Sequence, residues 1–131
     1  MQRIALALDL GGTNIRLAAV GEDGTIYSRM RAETPKGPSG SDVVDRIVEL
    51  ANECRAALEN GAHVFAIAAA VPATIDNMAG VLTKLPNLKC LEGVSLRDEL
   101  SQRLRIDAIL ENDATAAAIG ENWMGVSRGV D

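Results

Sequence analysis

The sequence is almost without aromatic residues. One Trp, one Tyr and one Phe make up 2% of its 131 positions, while 47% are hydrophobic. The core must therefore be aliphatic and close-packed, built from Ala, Val, Ile and Leu. Cysteine and histidine are also scarce. Cys54 and Cys90 lie far apart and belong to no CxxC or Cys/His cluster; they read as buried or half-buried thiols in a reducing compartment, and no zinc site is expected in this chain. The single histidine, His63, follows Gly61 at an expected helix end and reads as a solvated loop residue rather than a ligand or base. No apolar run approaches the ~20 residues of a membrane span. The opening MQRIALALDL lacks an apolar region followed by a cleavage site. A cytoplasmic protein with no membrane partner is expected. A basic excess is missing too: 13 Lys and Arg face 18 Asp and Glu, for a net charge of -5. That balance argues against nucleic acid or an anionic lipid surface as partner. It also means that a phosphate ligand would have to be held by backbone N–H groups, a metal ion or a few local cations.

What is present reads as alternating strands and helices. Residues 3–10 are almost continuously aliphatic, as expected of a strand buried on both faces. Gly11-Gly12 follows, a pair that tolerates positive φ at both positions of a tight hairpin. Residues 15–20 form a second apolar run, Asp23-Gly24 a second hairpin signal, and residues 25–33 a third, more polar strand. Residues 34–40, with two prolines and two glycines, read as a loop. Ser41 reads as the N-cap of an amphipathic helix over 42–60, with Val43, Ile47, Leu50, Cys54 and Leu58 at helical spacing and Gly61 ending it. Residues 64–71 form a fully apolar central strand ending at Pro72. Residues 73–87 read as irregular, with a short hairpin around 77–80. Ser95 with Asp98 fits a capping-box variant ahead of a helix carrying Leu96, Leu100 and Leu104. Residues 106–110 are a further strand, and 112–124 an alanine-rich helix whose small side chains would let it sit close to the sheet. The order β-β-β-α-β-α-β-α, with right-handed parallel crossovers in its later units, predicts a mixed α/β sheet with helices on its faces.

Two segments could carry chemistry. In Asp9-Leu10-Gly11-Gly12-Thr13-Asn14, with Arg16 beyond, a carboxylate ends a buried strand, and two glycines then expose backbone N–H groups where no Cβ blocks approach. Such a turn can cradle a phosphate, and Asp9 can hold Mg2+ directly or through water. A glycine hairpin with an acidic neighbour is the plainer alternative. The second segment, Glu111-Asn112-Asp113-Ala114-Thr115, lies where the last strand gives way to the last helix. Ligands of open α/β sheets sit beyond the carboxyl ends of strands, where Asp113 would face the cleft. Taken alone, the segment reads as a helix cap, with Asn112 and Asp113 able to divide capping and ligand contact. If the first and fourth strands lie close, Asp9 and Asp113 line one edge of the sheet. That is the layout phosphoryl transfer needs: positioning, a metal to neutralise charge, and a base for the nucleophile.

Taken in order, DLGGTN, VPATID, LPNL, GVSLRDEL and ENDATAAAIGE resemble the amino-terminal half of ROK-family sugar kinases and bacterial glucokinases. The resemblance implies the ribonuclease H-like fold of actin and hexokinase, ATP and Mg2+ as cofactors, and a small-molecule sugar as substrate. It implies that Asp9, Gly11, Gly12, Thr13 and Asn14 form the first phosphate motif. It further implies that Asp113 takes the proton from the sugar hydroxyl and that Asn112 binds sugar hydroxyls. Asn87 and the Pro72-Ala73-Thr74 turn fall in loops flanking the sugar, where plain loop structure is an equal alternative. Pro72-Ala73 stands where relatives commonly show Pro-Gly, and Cys90-Leu91 where they show Gly-Trp; both departures leave the sugar's identity open. The chain ends at Gly129-Val130-Asp131, ahead of the family's second glycine-rich loop, zinc cluster and adenosine site. It is therefore expected to be the amino-terminal lobe of a longer, homo-oligomeric parent and inactive alone. Two other readings compete with a kinase: a sugar-sensing transcription regulator, disfavoured by the acidic charge and a first strand starting near Arg3, and a folded half without activity of its own.

Overall fold

The structure, a computed structural model, describes residues 2–36, 39–59, 62–71, 74–76, 78, 81–83 and 89–112. The chain opens with a three-stranded meander, β1 (Gln2–Leu10), β2 (Asn14–Gly21) and β3 (Ile26–Glu33). Both pairings are antiparallel, as two tight turns demand. The second turn uses its glycine as the Asp23-Gly24 signal implies. Gly24 sits at φ 86, its N–H donates to the Gly21 carbonyl at 3.0 Å, and the Asp23 carboxylate accepts from the Thr25 N–H at 2.9 Å.

Helix α1 (Gly40–Ala56) carries the chain back, and β4 (Ala62–Val71) enters parallel to β1. A small hairpin follows, β5 (Thr74–Asp76) with β6 (Val81–Thr83), where an irregular stretch with a short hairpin was expected. A short 3-10 turn (Lys89–Leu91) leads to α2 (Leu96–Leu104), and β7 (Asp107–Asn112) then pairs parallel to β4. The main sheet has the order β3-β2-β1-β4-β7.

The expectation that β1 is buried on both faces is corrected. Ile4, Leu6, Leu8 and Leu10 are at most 2% exposed, while Arg3, Ala7 and Asp9 are exposed. Alanine at positions 5 and 7 makes the run look uniformly apolar, yet the large side chains alternate with period two and face one side. That side packs on Val43, Ile47, Leu50 and Cys54 of α1 and on Leu96, Leu100 and Leu104 of α2, all buried. Both described helices therefore cover one face of the sheet rather than being shared between its faces. They are linked to each other by Arg103 and Asp45 at 2.7 Å, and by Arg55, which donates to the Leu104 carbonyl at 2.9 Å.

Several boundaries also move. The N-cap of α1 is Ser39, not Ser41; its hydroxyl accepts from the Ser41 N–H at 3.3 Å. The helix closes at Ala56, so the expected extension to Asn60 is not formed. The Ser95 hydroxyl makes no cap bond to the α2 backbone and donates instead to the Asp98 carboxylate at 2.9 Å. His63 is exposed, as read, but lies within β4 opposite Arg3 rather than in a loop. Pairing with Ala70 and Val71 draws β7 out to Asn112, where the expected strand stopped at 110. The expected helix over 112–124 otherwise lies outside the described residues. Both thiols are free, Cys54 buried and Cys90 half-buried. Among the described residues no helix is long and apolar enough to cross a membrane.

Candidate phosphate turn and the rim of the sheet

The turn between β1 and β2 is built from backbone bonds. The Gly11 N–H donates to the Asn14 carbonyl at 2.9 Å. Thr34, just past the end of β3, clamps the turn from the side: its N–H donates to the Thr13 carbonyl at 2.9 Å and its hydroxyl to the Gly11 carbonyl at 2.7 Å. No acceptor among the described residues takes the N–H of Gly12 or Thr13. A turn whose carbonyls are tied back and whose N–H groups are unused has the donors an anion would need.

The reason for glycine here differs from the one expected. Neither Gly11 nor Gly12 has positive φ. Gly11 is favoured by close approach, because a Cβ there would stand 3.0 Å from the Asn14 carbonyl oxygen. Thr34 was passed over in the sequence as the first residue of a loop. The two antiparallel registers contain the signal: Asn14 opposite Glu33 puts residue 34 next to residue 13.

Asp9 and Arg16 face each other across the β1–β2 ladder on the face turned away from α1 and α2, both exposed, and neither has an ion-pair partner among the described residues. Arg31 lies opposite Arg16 on β3, and its Nε donates to the Asn14 side-chain oxygen at 3.4 Å. Asp9, Arg16, Arg29 and Arg31 line a shallow cleft of about 390 Å³ on this face. Arg31 and Arg16 lie nearer the turn and Arg29 further along β3, so three guanidiniums share this cleft; local cations of this kind are what an acidic chain would need to hold an anion.

The parallel strands β1, β4 and β7 end along one rim. Asp9 pairs with Ala70, Ala70 with Glu111, and Val71 with Asn112. The first and fourth strands are thus neighbours, as expected, and β7 delivers Asn112 to the same rim one strand further on. Half-buried Glu111 enters this row unanticipated, although it stands at the head of the motif that drew attention to Asn112 and Asp113. Thr74 opens β5, paired with Thr83, in a hairpin that adjoins β7. Asp113, Asn87 and the Pro72-Ala73 pair lie outside the described residues. Among the described residues no three His, Cys, Asp or Glu side chains gather into a metal site. Asp9 is a lone carboxylate, which suits Mg2+, an ion usually held by one or two carboxylates together with substrate phosphates and water.

Comparison with known proteins identifies this architecture. The ROK family model matches residues 5–131. The chain belongs to the ROK family. A glucokinase of Thermotoga maritima is 34% identical over 126 residues, covering 96% of this chain and 38% of the relative. A ROK family glucokinase from Streptomyces griseus, solved in complex with glucose and AMPPNP, has 30% identity and TM-score 0.76 over 93% of this chain and 37% of that one. A ROK family transcriptional regulator, a homologue of the E. coli MLC protein, shares the fold at TM-score 0.78 with 21% identity, over 98% of this chain and 32% of its own. The mixed five-stranded sheet with its helices is thus the actin/hexokinase-like architecture of ROK kinases. The chain spans less than two fifths of these ROK proteins.

Proposed function

We propose that this chain is the amino-terminal lobe of an ATP-dependent hexose kinase, with the Asp9–Asn14 turn receiving the phosphate tail of the nucleotide. The observation that carries the reading is the turn itself: the carbonyls of Gly11 and Thr13 are held by Thr34, the N–H groups of Gly12 and Thr13 have no described acceptor, and Arg16 stands beside it. Asp9 and Arg16 supply the charges that flank the phosphates. Mg2+, when bound through Asp9 and water, offsets the negative charge of the phosphates. Asp113 follows Asn112 at the rim of β7 and serves as general base toward the acceptor hydroxyl, while Asn112 binds hydroxyls of the sugar. Asn87 and Thr74, the latter at the start of β5, flank the sugar. The remaining sugar contacts and the adenosine site belong to a carboxy-terminal lobe outside this chain, within a homo-oligomeric parent. The relatives named glucokinase support this reading.

The regulator among the structural neighbours favours a second reading, sugar sensing coupled to DNA binding. The net charge of -5 weighs against it. One experiment separates the two. The full-length protein is assayed for phosphorylation of a hexose panel with Mg-ATP, and for DNA binding at low salt. Phosphorylation without sequence-specific DNA binding is expected. Specific DNA binding with no turnover on any hexose would replace the kinase by the regulator.

A further inference from the structure

Thr34 is the buried polar residue of the described core, 2% exposed where every other buried side chain is apolar. A buried hydroxyl must be paired, and this one is paired to a single acceptor, the Gly11 carbonyl, at 2.7 Å. The same residue's N–H holds the Thr13 carbonyl at 2.9 Å. One residue thus grips the turn on both sides of Gly12. Pro35 follows directly and confines Thr34 to extended backbone, so the clamp is rigid at its base. A carbonyl oxygen pointing at a phosphate would repel it. Because the carbonyl of one residue and the N–H of the next lie on opposite sides of their planar peptide, holding the Gly11 carbonyl fixes the direction of the Gly12 N–H, which has no described acceptor.

We infer that Thr34 is a positioning residue for the phosphate tail of the nucleotide: through the Gly11 carbonyl it orients the N–H groups of the turn and so governs affinity for the phosphoryl donor. This rests on the kinase reading above. Thr34→Val in the full-length protein keeps the side-chain shape and the N–H bond but removes the hydroxyl, and Thr34→Ser restores it. Thr34→Val is expected to raise KM for ATP about tenfold or more, with KM for the sugar within about twofold, and Thr34→Ser to return KM for ATP to within about threefold of the wild type. Calorimetry with AMPPNP, a non-hydrolysable ATP analogue, on the same three proteins is expected to follow the same order. Thermal melts identify the folded fraction, so that a general loss of protein is not read as lost affinity. Unchanged nucleotide affinity in Thr34→Val overturns the inference, as does a serine variant no better than valine, or a wild-type protein that binds no nucleotide. A wild type that binds nucleotide in this order of affinities but phosphorylates no hexose would sink the kinase reading while leaving Thr34 in its role.

Discussion

Asp9 and Glu111 stand in one row of the sheet, separated only by Ala70 of β4. With strands about 4.8 Å apart, the two positions are about 10 Å from each other. The rim therefore presents a carboxylate beside the Asp9–Asn14 turn at one side and the end of β7 at Asn112 at the other. In the proposed reaction the phosphoryl donor and the acceptor hydroxyl would meet along this row.

Gly11 is held to glycine by contact and not by dihedral angle, since a Cβ would come within 3.0 Å of the Asn14 carbonyl oxygen. Gly11→Ala in the full-length protein should push the turn open by a few tenths of an ångström. Because the displaced groups are the ones that would meet phosphate, KM for ATP should rise more than stability falls, with about 1 kcal/mol or less lost in urea unfolding. A loss of several kcal/mol with unchanged KM would make the glycine purely structural.

Gly40 has a harsher constraint. A Cβ there would lie 2.5 Å from the Cys90 carbonyl oxygen and 3.0 Å from a methyl of Val94, at the point where the first turn of α1 meets the 3-10 turn. The obstacle is backbone and cannot rotate away. Gly40→Ala should destabilise the lobe by about 1–3 kcal/mol despite alanine's better helix propensity. A urea midpoint equal to or above the wild type's would contradict this packing.

Asp23 offers a test of the second turn by pH. Bonds from Thr25 to the Asp23 carboxylate, the backbone N–H foremost, hold its pKa below the ordinary carboxylate value. A group with a depressed folded-state pKa contributes stability above its unfolded value and loses it as pH falls through the folded one. The side chain is fully exposed, so the effect is small. Carbon-detected titration should find the Asp23 midpoint below that of an unstructured aspartate, and Asp23→Asn should remove that low-pH step. A midpoint at or above the ordinary value would mean the turn is not closed by this bond.

Much of this fold was legible in the sequence because its signals are local. The meander follows from Asp23-Gly24 and the apolar runs around it, and α2 from the spacing of Leu96, Leu100 and Leu104. The misreadings have physical causes. Alanine is apolar enough to extend a run but too small to show which face it occupies, so β1 looked buried on both sides when only Ile4, Leu6, Leu8 and Leu10 are. Ser39 and Ser41 are equivalent as N-cap candidates in sequence, and the path of the chain entering α1 decides between them. Of the candidate site, the Asp9–Asn14 turn drew attention through its composition, whereas Thr34 did not. Its partners are 21 and 23 residues earlier (residue 34 less 13 and 11), and only the paired registers of two hairpins bring them together.

Asp113, the residue after Asn112, is proposed as the base of a hexose kinase. Steady-state turnover of full-length Asp113→Ala with Mg-ATP and the best hexose substrate tests this role most directly. A fall in kcat of about 10²-fold or more is expected, in the range general base catalysis typically contributes, with the melting temperature unchanged. Turnover within a few-fold of the wild type would contradict it.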